Sequence, residues 1–107
     1  MPSRLRLHLA ASILLSSFVV PAAAQGVDTA ARSLAATCFT CHGTDGRSVA
    51  GVPPLAGRDR GELVQQMKDF KLGKRPATIM HQHAKGYTDA QIEQIAGYFA
   101  SVKPGPA

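Results

Sequence analysis

Two cysteines and a histidine lie close together in the sequence. They are the residues whose types and spacing most clearly indicate a chemical role. Cys38 and Cys41 are the only cysteines among 107 residues, and His42 directly follows the second one. A disulfide across two intervening residues would constrain the unfolded chain little and would add little stability. A thioredoxin-like dithiol requires a βαβ context, which the strand-poor pattern downstream does not supply. A structural zinc site needs four ligands, and no second cysteine pair is present to complete one.

The Cys-x-x-Cys-His spacing instead predicts the covalent attachment of one haem c. Both thiols would add to the haem vinyl groups, and His42 would bind the iron as its proximal ligand. Two residues between the cysteines on a helical turn bring both sulfurs to the same haem edge. The haem would also give a short chain a large apolar surface around which to pack.

The first residues have the composition of an export signal. An arginine-containing start precedes an uncharged, largely apolar run over 9–20, and Ala22 and Ala24 form the small-x-small pattern that signal peptidase recognises. This run is shorter than the roughly 20 residues that span a bilayer. We therefore expect a signal peptide over 1–24 and one periplasmic domain over 25–107, with no stable membrane insertion after cleavage. An uncleaved membrane anchor is the alternative.

The charge distribution of the chain argues against nucleic-acid binding. Its 12 lysines and arginines exceed its 7 aspartates and glutamates. Removal of the signal would leave a net charge of about +3 without a dense basic cluster, so nucleic-acid binding is not expected. Five basic residues could still steer a protein partner or form an ordinary solvated face: Lys68, Lys71, Lys74, Arg75 and Lys85.

Four residues could supply the second axial ligand of the iron: Met67, Met80, His81 and His83. Met67 falls on the apolar stripe of a predicted helix, where packing already explains a methionine. Met80 falls between helix breakers, in a segment over 73–86 that we expect to be a loop crossing the open haem face. We therefore predict Met80 as the distal ligand. His81, His83 and an open position are the alternatives.

A proximal histidine also needs an acceptor for its second ring N–H. The run GVPPLAG over 51–57 is the candidate, because a proline offers a carbonyl acceptor without an N–H donor. We predict that the Pro53 carbonyl faces His42, with that of Pro54 close behind. The alternative is that the two prolines only stiffen a connector.

Capping signals predict an all-α fold of about three main helices around the haem. Asp28 can begin the first helix, Asp59 the second, and Thr88 with Gln91 forms a capping box for the last. The last helix carries an apolar stripe at helical spacing. Small residues are expected where the first and last helices cross: Ala30, Ala31 and Gly97.

With these residues in view, the chain after its signal resembles a class I cytochrome c. The resemblance comprises CFTCHG, the P-x-L-x-G run from Pro53, Met80, and a closing amphipathic helix with Tyr98. Within that class, FKLGKRPATIM and AKGYTDAQIEQIAGYFAS are most similar to the haem subunits of flavocytochrome c sulfide dehydrogenases. The resemblance implies a haem held by Cys38 and Cys41 and ligated by His42 and Met80, with Pro53 orienting the histidine.

The resemblance also implies partners. An FAD-containing subunit would oxidise sulfide and pass electrons singly to this haem, and other redox proteins would accept them. The chain alone would then be a non-catalytic electron-transfer protein and a subunit of an enzyme. A free-standing periplasmic electron carrier is the first alternative, and a haem sensor or peroxidase with an open distal position is the second.

Overall fold

The computed structural model describes residues 28–106, and in this range the chain is all-helical with no strand. The helices are α1 Thr29–Ala35, α2 Phe39–His42, α3 Arg60–Lys71, α4 Met80–Lys85 and α5 Asp89–Ser101, with 3-10 turns at Ala36–Cys38 and Thr44–Gly46. The predicted all-α fold is confirmed. The predicted signal peptide over 1–24 and the predicted start of the domain at residue 25 lie outside the described residues. Within 28–106, no helix is both long enough and apolar enough to cross a membrane.

The three longest helices begin where their capping residues predict. The Asp28 carboxylate accepts hydrogen bonds from two backbone N–H groups of the first turn of α1, at 3.0 and 3.2 Å. Asp59 accepts one from Glu62 N at 2.8 Å at the start of α3. Thr88 and Gln91 form a reciprocal capping box at the start of α5. Each cap satisfies backbone donors that a helix start leaves without a partner.

α3 ends at a glycine, and the segment after it differs from the prediction. Gly73 adopts a positive φ of 71°, and Lys74 N donates to Asp69 O at 2.8 Å, which is the Schellman arrangement. Residues 72–79 then form an exposed loop. Met80, which we expected inside a longer loop, is instead the first residue of α4. No helix breaker stands between Met80 and Gly86, and α4 packs against α3 with its Ala84 fully buried.

The core lies between α1, α3 and α5, and α5 supplies most of it. Phe99 and Ile92 are its largest fully buried side chains. From α1, Ala31 and Ala35 are buried in this core. The other core members are Leu63, Val64, Ile95, Ala96 and Tyr98.

The prediction that Gly97 lies in the crossing of α1 and α5 is wrong. A side chain at this position would meet the Arg60 guanidinium of α3, about 3.8 Å away. The reason is helical geometry, because Gly97 lies about half a turn from the buried stripe of Ile92, Ile95 and Phe99. Ala30 is exposed. Close packing of α1 therefore depends on Ala31 and Ala35.

A tight turn follows α2, and α5 packs directly on it. Gly46 adopts a positive φ of 76° and donates to Gly43 O at 2.9 Å. A Cβ at Gly46 would lie 2.8 Å from the Phe99 ring, so α5 leaves no room for a side chain there. The Gly46 carbonyl in turn accepts from Leu55 N at 2.8 Å and Ala56 N at 3.2 Å. This turn thus joins three segments: α2, residues 53–56 and α5.

Substitution of two glycines should separate backbone strain from this packing. Gly46 and Gly51 both have a positive φ, of 76° and 79°, but only Gly46 has atoms within 4 Å of the site where a Cβ would lie. Gly51→Ala should lower the free energy of unfolding by about 1–2 kcal/mol, the cost of a left-handed conformation. Gly46→Ala should lower it by about 1–3 kcal/mol more, because Phe99 must move. Denaturant unfolding of the haem-bound variants measures both values, and equal losses would show that α5 does not pack tightly on the turn.

Candidate functional site

The cysteines and the histidine lie on one continuous helical stretch that leads out of α1. Cys38 ends the first 3-10 turn, and Cys41 and His42 end α2. Neither cysteine is paired in a disulfide, and Cys38 is half-buried and Cys41 exposed. Burial raises the pKa of the Cys38 thiol, and a hydrogen bond with Thr37 opposes this shift. The structure therefore brings together the three residues of the predicted haem motif.

Phe39, which lies between the two cysteines, holds this motif on the core. Its ring centroid lies 6.2 Å from that of Tyr98 and 6.2 Å from that of Phe99, the latter in an edge-to-face arrangement. Such aromatic pairs contribute about 0.5–1.5 kcal/mol beyond the area that they bury. α5 thus positions the motif through its aromatic side chains.

The histidine is buried and has one specific partner. His42 is 9% exposed, and its Nδ1 lies 2.6 Å from Pro53 O. A carbonyl can only accept, so Nδ1 carries the proton and donates. In the neutral imidazole the other ring nitrogen, Nε2, then keeps its lone pair, and this is the form that binds a metal. This geometry supports the roles predicted for His42 and Pro53.

The candidates for the distal ligand differ in their surroundings. Met67 packs against the core from α3, so packing accounts for it. Met80 is half-buried and His83 is exposed. His81 is half-buried and its Nδ1 is fully buried with no hydrogen-bond partner among the described residues. The two alternative histidines therefore differ, because His83 is exposed whereas His81 holds one ring nitrogen away from solvent.

The residues present fit a covalently bound haem. Two accessible thiols precede a buried imidazole whose Nε2 is free to bind iron, and a half-buried thioether is available from α4. The buried Nδ1 of His81 beside Met80 adds an unsatisfied polar atom, which costs about 1–3 kcal/mol unless a bound group or water pairs with it. Such an atom is expected where a bound group completes the structure.

Sequence reasoning missed one polar cluster next to the motif. The Tyr98 hydroxyl donates a hydrogen bond to the Asp45 carboxylate, three residues after His42. Arg32 and Arg47 lie 3.6 and 3.5 Å from the same carboxylate. Asp45 has a positive φ of 54°, a conformation in which aspartate is enriched. Its position between Gly43 and Gly46 was the only local signal of such a turn.

Comparison with known proteins decides the family. The family model for cytochrome c matches residues 27–103. The chain belongs to the cytochrome c family. The cytochrome subunit of sulfide dehydrogenase from Chlorobaculum tepidum is 38% identical to it over 82 residues, which are 77% of this chain and 74% of that protein. The resemblance predicted from the motifs is thereby confirmed.

Two further relatives are longer than this cytochrome. The thiosulfate dehydrogenase electron acceptor of Stutzerimonas stutzeri is 36% identical over 100 residues, which are 90% of this chain but 46% of that protein. A solved cytochrome c4 structure from Acidithiobacillus ferrooxidans is 42% identical with a TM-score of 0.59, and the match covers 61% of this chain and 38% of that one. This cytochrome thus spans less than half the length of these two relatives.

Family membership assigns the cofactor and the chemistry. The cytochrome carries covalently bound haem c, and its single pair of cysteines allows one such haem. Its function is electron transfer. The bound haem iron supplies a one-electron redox change, while the protein sets the potential and the orientation.

Methionine substitutions should separate the ligand from the core residue. Met80→Leu and Met67→Leu both conserve volume, so the loss of packing alone should cost less than about 1.5 kcal/mol in each variant. Met80→Leu should abolish the weak absorption band that His/Met ligation gives the oxidised protein, and the reduced protein should bind carbon monoxide. Met67→Leu should do neither.

Two results would contradict this assignment. A Met80→Leu variant that keeps the band would exclude Met80 as the distal ligand. Ready carbon monoxide binding by the unsubstituted reduced protein would indicate an open iron, and would favour a sensor or peroxidase.

High pH should destabilise the fold through Tyr98. Burial, then the hydrogen bond and charge of Asp45, raise the pKa of Tyr98 above its ordinary value of 10.0. The folded chain thus keeps the phenol proton where the unfolded chain has lost it, and the free energy of unfolding falls as pH rises through this range. Tyr98→Phe should show a lower stability below pH 10.0 and a flatter decline above it, measured by denaturant unfolding. A decline as steep as that of the unsubstituted protein would contradict the shift.

Proposed function

We propose that this cytochrome receives single electrons from a sulfide-oxidising, FAD-containing subunit in the periplasm and passes them to other redox proteins. The observation that carries the proposal is the similarity to the cytochrome subunit of sulfide dehydrogenase from Chlorobaculum tepidum, which extends over 74% of that protein. A match of this extent covers most of a protein that is named as the cytochrome subunit of a dehydrogenase. The proposal includes export by a signal peptide over 1–24 and a cytochrome domain over 25–107.

Within this proposal, each residue of the site has a separate role. Cys38 and Cys41 hold the haem through thioether bonds, which keep it in place in both oxidation states. His42 ligates the iron through Nε2, and its 2.6 Å contact with Pro53 O fixes the tautomer and the ring plane. The Met80 thioether would be the second protein ligand of the iron, and a thioether ligand would favour the ferrous state and raise the potential.

A surface beside the distal residues has the composition of a docking site. We define the 72–79 loop as the exposed segment between α3 and α4. Leu72 is 66% exposed and Ile79 52% exposed, and Lys74 and Arg75 lie between them. Exposed apolar side chains next to positive charges suit a partner surface that carries both apolar and acidic groups.

The five basic residues that could steer a partner are not equivalent in the structure. Lys71 donates to Tyr87 O at 2.7 Å and pairs with Asp89 at 3.1 Å. Its positive charge is therefore partly neutralised within the protein. The Arg75 guanidinium lies over the Phe70 ring, 5.4 Å from its centroid. Lys74 and Lys85 are exposed. Steering is therefore expected from the 72–79 loop rather than from Lys71.

The test is purification of the haem protein from its native periplasm. A flavin that co-elutes in a fixed ratio, together with haem reduction on addition of sulfide, would support the proposal. A haem protein that elutes alone and is not reduced by sulfide would overturn it. That result would favour the free-standing carrier.

Charge substitutions should test the docking surface. Lys74→Gln removes a charge from the 72–79 loop, and Lys103→Gln removes the same charge from the exposed segment after α5. With the co-eluting flavoprotein as donor, Lys74→Gln should slow haem reduction at low salt by up to about fivefold, the range of one exposed ion pair. It should also weaken the salt dependence of the rate. Equal effects of both substitutions would show that the loop does not dock the partner.

A further inference from the structure

Tyr98 contacts the haem motif from two directions. Its ring packs on Phe39, which lies between the two cysteines. Its hydroxyl donates to Asp45, which lies just beyond the histidine. Tyr98 is 6% exposed and also packs edge to face against Phe99, at 5.3 Å between centroids. A buried side chain of α5 therefore contacts the motif at Phe39 and the turn after His42 at Asp45.

Asp45 is held in a conformation that depends on its surroundings. A non-glycine residue at a φ of 54° costs about 1–3 kcal/mol and persists where neighbouring groups determine it. Here those groups are the Tyr98 hydroxyl and the two arginines, Arg32 and Arg47. The carboxylate is thus anchored by groups from α1, from α5 and from the segment after the turn.

Hydrogen bonds continue from this turn to the histidine ring. The turn residue Gly46 accepts from Leu55 N at 2.8 Å and from Ala56 N at 3.2 Å. These bonds fix the segment that carries Pro53, whose carbonyl accepts from His42 Nδ1 at 2.6 Å. A series of bonded groups therefore leads from Tyr98 through Asp45 and the turn to His42.

We propose that the hydrogen bond between Tyr98 and Asp45 positions the proximal histidine, by holding the turn that keeps the Pro53 carbonyl against His42 Nδ1. Tyr98 and Asp45 are positioning residues, since neither touches the histidine. The inference rests on the proposed role of His42 as iron ligand. The inference adds that α5, through Tyr98, influences how strongly His42 binds the iron.

The expected effect of this control is on the reduction potential. A strong acceptor at Nδ1 makes the imidazole a better donor to iron, which favours the ferric state. If the turn loosens, the hydrogen bond between His42 Nδ1 and Pro53 O weakens, and the ferrous state becomes more stable relative to the ferric state. Loss of the Tyr98 hydroxyl should therefore raise the potential, by at most what one net hydrogen bond contributes.

Tyr98→Phe in the haem-bound protein tests the proposal with two readouts. The potential should shift upward, corresponding to an increase of about two- to tenfold in the equilibrium constant for reduction. In the reduced, diamagnetic protein, NMR should show faster exchange of the His42 Nδ1 proton with water, because its bond is less well held. A merely structural role would lower stability and move neither readout.

Tyr87→Phe is the matched control. Its hydroxyl lies 2.6 Å from that of Thr37, which precedes the motif and has no part in the bonds that lead to Pro53. This variant should leave the potential and the proton exchange unchanged. Asp45→Asn supplies a second test, because asparagine tolerates a positive φ and keeps an acceptor for Tyr98. It should keep the exchange slow although it removes a charge.

Two outcomes would overturn the inference. The first is a Tyr98→Phe variant that matches Tyr87→Phe in both readouts. The second is fast exchange in Asp45→Asn, which would assign the effect to charge. Failure of the ligand assignment is distinguishable, since the His42 Nδ1 proton of the unsubstituted protein would then show none of the shifts of an axial ligand. The electron donor and the acceptor do not enter this test.

Discussion

The packing of α5 on the turn after the histidine is the constraint on which the rest of this structure depends. Phe99 closes over Gly46, where no side chain fits, and Gly46 in turn binds the segment that carries Pro53. Because Pro53 and His42 approach each other across this turn, the packing of α5 on the turn supports their contact. The apolar core and the polar site are therefore one assembly. A change in the core would be felt at the proposed iron ligand.

The two sides of the proposed haem site are built differently. The proximal side is tied by several hydrogen bonds within a short stretch and by aromatic packing on Phe39. The distal side is formed by the exposed 72–79 loop and by the short helix α4, which is held mainly by α3. This difference suits an electron-transfer protein, since a firmly held proximal side can orient the iron ligand while the 72–79 loop leaves exposed surface for a partner.

Local signals predicted much of this architecture, and long-range contacts account for what they missed. Asp28, Asp59 and Thr88 begin their helices as predicted, because a cap requires only residues within the same turn. The cysteines and the histidine predicted haem for the same reason. All three lie within five consecutive residues, and their spacing alone is sufficient to indicate haem attachment. The start of α4 at Met80 was missed because packing on α3 stabilises a segment too short to be helical alone.

The polar cluster could not be predicted at all. Tyr98 and Asp45 are 53 positions apart, and nothing in either local sequence shows that they meet. Gly97 was misplaced for a related reason, since small size indicates close packing but not the neighbour against which a residue packs.

The acceptor for His42 has a consequence for how this protein tolerates mutation. The acceptor is a main-chain carbonyl oxygen, and every amino acid at position 53 has one. No amino-acid substitution at position 53 can therefore remove this oxygen. The contact is instead sensitive to substitutions at positions that determine the path of the backbone near Pro53. Gly46 is such a position, although it touches neither the thiols nor the imidazole in any bond described for this site. Damaging variants of this cytochrome should therefore be sought in the turn and in α5, as well as among the residues that meet the haem.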